Sequence, residues 1–141
     1  MIHVAGDRSS VATSVAAADG AGYALAGSYT ISNISSQVID ALKRPIAMAG
    51  HGALGVVECR NVSSGIVAAD KAVKRSTALL ARIVTGQGIN GKSYFVLTGD
   101  VASVEEAVDA AKESLGKNLM EAVVIPSPDS SVINAFVVRP T

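Results

Sequence analysis

Several features that many functional classes require are scarce in this sequence of 141 residues. It contains one cysteine, Cys59, so neither an intrachain disulfide nor a cysteine-based metal cluster can form within one chain. Its two histidines, His3 and His51, lie far apart and lack the spacing of metal ligands. We therefore expect no metal, and the residues indicate no other cofactor.

The sequence also lacks an excess of charge and a long apolar run. Its 12 Lys and Arg residues balance 12 Asp and Glu residues, whereas nucleic-acid-binding proteins usually carry a basic stripe. No apolar run reaches the roughly 18 residues of a membrane span, and the N-terminus does not have the pattern of a signal peptide. We expect no nucleic-acid partner, no membrane partner and a cytoplasmic location.

Small aliphatic residues dominate what is present. The chain is 49% hydrophobic and 17% charged, with 4% aromatic residues and no Trp. This composition favours a globular core of Ala, Val, Ile and Leu in closely packed elements. A net charge of zero removes one barrier to self-association, which weakly favours an assembly subunit.

The chain contains an internal repeat of about one and a half units. Gly6–Val11 recurs as Gly99–Val104 at an offset of 93 residues, and Val38–Leu42 recurs as Val132–Phe136 at an offset of 94. The period is too long for a solenoid and fits tandem domains. The implied order is a partial unit, a linker and a complete unit, at residues 1–44, 45–52 and 53–141.

Hydrophobic periodicity in the complete unit predicts the order βαββαβ, a ferredoxin-like arrangement of α+β class. We predict helix caps at Ser63 or Ser64 and near Ser103, and a short final helix over Ser130–Phe136. The predicted strands are Leu54–Cys59, Leu79–Thr85, Ser93–Leu97 and Leu119–Ile125. In the partial unit, strands near Ile2–Ala5 and Ser28–Ile31 would lack their common neighbour and remain exposed.

Four motifs resemble successive parts of the bacterial microcompartment shell domain. They are Ala53–Cys59, Ala68–Lys74, Leu97–Val101 and Val124–Pro128. The match covers residues 53–137, and residues 1–44 match the second half of the same domain. Gly86–Lys92 is most similar to the second domain of tandem-domain members of the propanediol-utilisation type. The first domain is then represented by its second half, and we hypothesise that the chain is a shortened version of a longer tandem protein.

The resemblance implies a structural, non-enzymatic shell subunit that forms a cyclic trimer or hexamer and tiles into flat layers. Its partners would be other shell proteins, the encapsulated enzymes and small polar metabolites that pass through a central pore. The implied pore-lining residues are Gly86, Gln87, Gly88, Ile89, Asn90, Gly91 and Lys92. Lys74 occupies the position of a lysine at the edge between tiles. Thr77 and Ser127 stand where the family often has asparagine and arginine.

Two other readings of the glycine-rich turn remain open. Gly86–Ser93 satisfies the phosphate-loop pattern G-x-x-x-x-G-K-[ST], although a strand and not a helix is predicted to follow Lys92. A ferredoxin-like sensor that binds a small molecule at this turn is the third hypothesis. Some tandem shell proteins hold an iron–sulfur cluster in the pore loop of their first domain. Residues 1–44 lack a counterpart of that loop, so we expect no cluster.

Overall fold

The computed structural model describes residues 1–44, 52–86 and 90–137 of the chain. Within these ranges it has five helices, four strands and one 3-10 turn at Gly116–Asn118. The helices are α1 Arg8–Asp19, α2 Ser36–Lys43, α3 Val62–Arg75, α4 Val101–Leu115 and α5 Ser130–Val137. The strands are β1 Ala53–Cys59, β2 Leu79–Thr85, β3 Ser93–Gly99 and β4 Leu119–Pro126.

The four strands form one antiparallel sheet in the order β2-β3-β1-β4. This order confirms the predicted α+β, ferredoxin-like βαββαβ fold, in which the first strand lies between the third and fourth. β1 is hydrogen-bonded on both sides, and its Ala53 lies between Gly99 and Pro126. β2 and β4 are the two edges of the sheet.

Small residues allow the helices to pack closely on one face of this sheet. A Cβ atom on Gly55 of β1 would lie 2.8 Å from Cγ1 of Val104 on α4, closer than packed atoms approach. A Cβ atom on Gly65 of α3 would overlap Oγ of Ser93 on β3. The core between the sheet and these helices is built from aliphatic side chains and Phe95, which is 1% exposed.

The two long helices of the complete unit begin earlier than predicted. The cap of α3 is Asn61, whose Oδ1 accepts hydrogen bonds from the Ser64 amide at 2.9 Å and the Ser63 hydroxyl at 3.1 Å. The predicted caps at Ser63 and Ser64 are wrong because both residues already lie in the first turn and donate to Asn61. Asp100 caps α4 in the same manner through the Ser103 amide, so the prediction of a cap near Ser103 is also wrong.

Residues 1–44 reproduce some of the backbone geometry of residues 53–137. Asp7 caps α1 with φ −66° and ψ 157°, and its repeat counterpart Asp100 caps α4 with φ −65° and ψ 158°. Asn33 and Ser127, separated by the offset of 94 residues, both have left-handed φ values of 53° and 47°. Each left-handed residue is followed, after a short connection, by an eight-residue helix, α2 or α5.

The predicted strands near Ile2–Ala5 and Ser28–Ile31 do not form within the described residues 1–44. In the complete unit β1 bonds to both β3 and β4, and residues 1–44 offer no such central strand. Both segments lack regular secondary structure, and Ile2 is 84% exposed. Every residue of α1 is described and none is buried, whereas Val38 and Ala41 of α2 join the main core.

Candidate functional site

The glycine-rich turn joins β2 to β3 at one end of the sheet. Thr85 pairs with Ser93 as the last rung of the ladder, and Gly86 follows with φ +86°. Asn90 and Gly91 have φ values of 55° and 76°, so the turn uses left-handed backbone on both sides. A Cβ atom on Gly86 would also lie 3.2 Å from Val62, the first residue of α3.

Four of the seven predicted pore-lining residues lie in the part of the chain that the structure describes. Asn90 and Gly91 are exposed, while Gly86 and Lys92 are half-buried at the base of the turn. The other three, Gln87, Gly88 and Ile89, lie outside the described residues.

The geometry of Lys92 and Ser93 does not suit a phosphate loop. Such a loop needs a helix to begin at these residues, because helix N–H groups and the helix dipole hold the phosphates. Here β3 begins at Ser93, which is 1% exposed and donates its hydroxyl to the carbonyl oxygen of Asn61 at 3.0 Å. The hydroxyl that would bind a metal–nucleotide complex is therefore buried and already bonded.

Thr77 and Ser127, which are predicted to lie at the edge between tiles, are at the end of the sheet opposite the glycine-rich turn. Ala53, Gly99 and Pro126 form the last rung there. Ser127 follows that rung, and its amide donates to the carbonyl of Gly52 at 3.1 Å. Thr77 lies just before β2, and its hydroxyl is 2.9 Å from that of Ser103, near the start of α4.

Lys74, the third predicted edge residue, lies in the last turn of α3, which runs from the turn end of the sheet towards the other end. Its Nζ is 2.5 Å from Oδ2 of Asp70 and 3.5 Å from the carbonyl oxygen of Ser32. The Lys74 side chain is 40% exposed, so its ion pair is only partly shielded from water. Lys74 thus contacts residues 1–44 of its own chain at Ser32 and also remains partly exposed.

Sequence reasoning missed the two polar residues that attach α2 to the complete unit. Asp70 is 2% exposed, and its Oδ1 accepts the amide of Ser35, the cap residue of α2, at 2.8 Å. Gln37 accepts the backbone amide of Leu80 through Oε1 at 2.9 Å. The spacing of Asp70 and Lys74 by four residues signals a helical ion pair. The contact with Ser35 depends on tertiary structure and leaves no such signal.

The pKa shifts of Cys59 and Asp100 have structural causes, which are burial and helix capping. Burial raises the pKa of Cys59 to about 11, so its thiol stays neutral near pH 7. Hydrogen bonds from Ser103, first from its amide and then from its hydroxyl, hold the pKa of Asp100 below its ordinary value. Among the described residues, no three His, Cys, Asp or Glu side chains gather as a metal site would require, and no helix is long and apolar enough to cross a membrane.

Comparisons with known proteins agree with this architecture. The family model of the BMC domain matches residues 53–128. The bacterial microcompartment shell protein PduT of Citrobacter freundii is 40% identical over 114 residues, which are 79% of this chain and 62% of that protein. A crystal structure of a microcompartments protein from Desulfitobacterium hafniense DCB aligns with a TM-score of 0.80 at 38% identity, covering 92% of this chain and 73% of that one. The chain thus spans less than two thirds of the length of its curated relative.

Proposed function

The chain belongs to the BMC-domain family of bacterial microcompartment shell proteins, and on that premise we propose that it is a structural subunit of such a shell and not an enzyme. It would assemble with copies of itself and with other shell proteins around encapsulated enzymes, in the cytoplasm. The relatives matched over most of the chain carry the names of microcompartment proteins, which supports this role.

The positions of the predicted site residues on the sheet support this role. The glycine-rich turn and the residues Thr77 and Ser127 lie at opposite ends of the same sheet. Seven residues of strand separate these ends, which is about 20 Å at the usual rise of a strand. A flat tile needs one end of each unit at a central axis and the other at its rim, and this arrangement satisfies that need.

We assign the turn to the axis and propose that it lines a pore for small polar metabolites. Glycine allows backbones to approach one another closely around an axis, and Gly86 and Gly91 already adopt conformations that glycine favours. Backbone N–H groups of the turn and the cation of Lys92 would attract anionic or polar molecules if they face the opening. Gln87, Gly88, Ile89 and Asn90 complete the proposed lining, with Ile89 as an apolar constriction.

We assign Lys74, Thr77 and Ser127 to the rim, where tiles meet. The half-exposed ammonium of Lys74 supports that assignment, because it can still accept a partner from a neighbouring tile. The hydroxyl of Thr77 is already shared with Ser103, so its contribution to a tile contact would be smaller. Ser127 keeps the left-handed backbone between Pro126 and Pro128 and offers a short polar group.

We further propose that residues 1–44 are the second half of a first domain, joined by residues 45–52 to a complete domain at 53–141. The matched backbone geometry at offsets of 93 and 94 residues supports this organisation. Length supports it as well. If 114 residues are 62% of the curated relative, that protein has about 184 residues, about 43 more than this chain. The half-domain that residues 1–44 lack corresponds to residues 53–93 of the complete unit, a segment of similar length.

Co-assembly tests the structural role directly. We would express the tagged chain in a bacterium that makes microcompartments and purify the shells by density-gradient centrifugation. The chain should co-fractionate with intact shells and appear in sheets, tubes or rings by negative-stain electron microscopy. Recovery of the chain only in the dispersed soluble fraction would contradict the proposal.

The pore assignment has its own test. Shells that contain Lys92→Ala should admit a small anionic substrate to an enclosed reporter enzyme more slowly than wild-type shells, because positive potential at the opening is lost. Lys71→Ala is the matched control, since Lys71 is exposed on α3 away from the turn. Equal rates of substrate entry in wild-type, Lys92→Ala and Lys71→Ala shells would contradict the assignment of Lys92 to the pore.

A further inference from the structure

Three basic residues lie together at the end of the sheet that carries the glycine-rich turn. β1 and β3 are paired up to Cys59 and Ser93, so the next rung of that ladder places Arg60 opposite Lys92. On the other side of Arg60, its Nε donates to the carbonyl oxygen of Lys117 at 3.3 Å. Arg60 and Lys117 are exposed and Lys92 is half-buried, so none of the three is sealed inside the protein. We call these three residues the basic cluster.

Among the described residues, the basic cluster forms no ion pair with a carboxylate. The ion pairs that they do form involve Lys74 and Arg75, in the last turn of α3 and away from this end of the sheet. Like charges that face each other across two strands destabilise a sheet, and Arg60 and Lys92 occupy such positions. An anion bound between them would remove this repulsion.

The nearest acidic residues do not neutralise the cluster. Glu58 and Glu121 lie opposite each other on β1 and β4, one step further into the sheet. Oε1 of Glu121 accepts the backbone amide of Ala122 at 3.1 Å, so this carboxylate bonds to its own strand. Glu58 is half-buried, and its charge opposes the binding of an anion at the cluster.

Arg60 is held in a position that suits an oxyanion. Its Nε is bonded to Lys117, while its two terminal nitrogens have no hydrogen-bond partner in the part of the chain that the structure describes. A guanidinium fixed at Nε presents those nitrogens as a planar fork, which can bind two oxygens of one anion. α3 begins two residues later, at Val62, and its first turn contains no acidic residue. The positive end of the helix dipole therefore adds to the field of the cluster.

We propose that the basic cluster is a binding site for a small oxyanion of the phosphate class, either inorganic phosphate or a phosphate monoester. Arg60 binds two oxygens through its fork, and the ammonium groups of Lys92 and Lys117 neutralise the remaining charge. A monocarboxylate has only two oxygens and one charge, so it would leave part of the cluster unpaired. The site differs from a phosphate loop, because it uses neither the hydroxyl of Ser93 nor a helix that begins at Lys92.

The link of this site to transport rests on the proposed pore. If the glycine-rich turn lines a pore, the basic cluster lies beside the opening, because Lys92 is at the base of that turn. The site would then narrow the permeant metabolites from small polar molecules to phosphorylated ones. Binding itself is a property of the single chain and does not require a shell.

Isothermal titration calorimetry of the chain tests the proposal with inorganic phosphate, methyl phosphate and acetate, at an ionic strength kept constant with NaCl. We expect phosphate to bind at one site per chain and acetate to bind more weakly than methyl phosphate. Arg60→Gln should weaken phosphate binding about tenfold or more, because a charge-assisted pair is lost. Glu58→Gln should strengthen it, because an opposing charge is removed. Arg75→Gln is the matched control: it neutralises an exposed arginine at the other end of α3 and should leave the affinity unchanged.

Far-UV circular dichroism would establish that Arg60→Gln is folded. If it is not, Arg60→Lys keeps the charge but removes the fork, and it should still weaken phosphate binding. The absence of phosphate binding would overturn the inference, as would equal weakening by Arg60→Gln and Arg75→Gln, or acetate that binds as tightly as methyl phosphate. Binding of methyl phosphate assigns the site to phosphate esters, and binding of phosphate alone assigns it to the free ion. A failure would leave the shell role intact, since co-fractionation of the wild-type chain with shells tests that role separately.

Discussion

Two valines related by the internal repeat give the sharpest test of the claim that one unit is complete and the other is not. Val104 on α4 is 0% exposed and contacts Gly55 of β1, while its counterpart Val11 on α1 is half-exposed on a helix without buried residues. The two side chains have the same chemistry and the same position relative to an Asp cap. Replacing each with Ala therefore isolates the effect of burial.

The expected difference follows from the methyl groups removed. Val→Ala deletes two buried carbons at about 0.8 kcal/mol each, and the cavity left at a site that collapses incompletely raises the total to about 2–3 kcal/mol for Val104→Ala. For Val11→Ala we expect a change within about 0.5 kcal/mol, because its surroundings are largely water. In a folded unit of this size the first change would lower Tm by about 10–20 °C.

Urea denaturation followed by far-UV circular dichroism would measure both changes in the free energy of unfolding. The comparison requires that the free energy of unfolding fall with urea concentration at the same slope in the two variants and the wild type. A loss for Val11→Ala as large as that for Val104→Ala would refute the reasoning, because the face of α1 would then be covered in the isolated chain.

Two further predictions concern packing and pH. Gly65→Ala should destabilise the protein by about 1–3 kcal/mol, because the new methyl group overlaps Ser93, and this outweighs the better helix propensity of alanine. Gly20→Ala is the control: the atom nearest to its new methyl group is 3.5 Å away, so the free energy of unfolding should change little. The pKa of Asp100 is lowered in the folded state, chiefly by the Ser103 amide, so the stability it contributes is present at neutral pH and is lost as the pH falls below about 3.8. Asp100→Asn should make stability depend less steeply on pH in that range, measured by urea midpoints, and an unchanged slope would contradict the role of this cap.

The fold could be predicted from the sequence because its signals are local. β2 was predicted with the observed bounds, and the order of strands follows from the βαββαβ pattern once it is identified. The caps were missed by up to three residues because Asn61, Ser63 and Ser64 are all good cap residues. The choice among them depends on which oxygen reaches the free amides of the first turn, and composition does not reveal that.

The site was less accessible to sequence reasoning because its geometry is non-local. The glycine-rich segment was predicted to be a turn, and Gly86 and Gly91 have left-handed backbone, whereas its place at a pore stays a prediction. The attachment of α2 through Asp70 and Gln37 joins residues more than 30 positions apart, and only tertiary structure brings them together. No pattern in the sequence indicated that Lys74 would contact Ser32.

The central claim is that units meet around a rotation axis with their Gly86–Gly91 turns at the centre and Lys74 at the rim. A cryo-electron microscopy reconstruction of a shell or layer that contains this chain would measure that placement. We predict density for the turns of neighbouring units encircling a narrow opening at the axis. Turns located on the outer perimeter of the assembled unit, with Lys74 at its centre, would contradict the account.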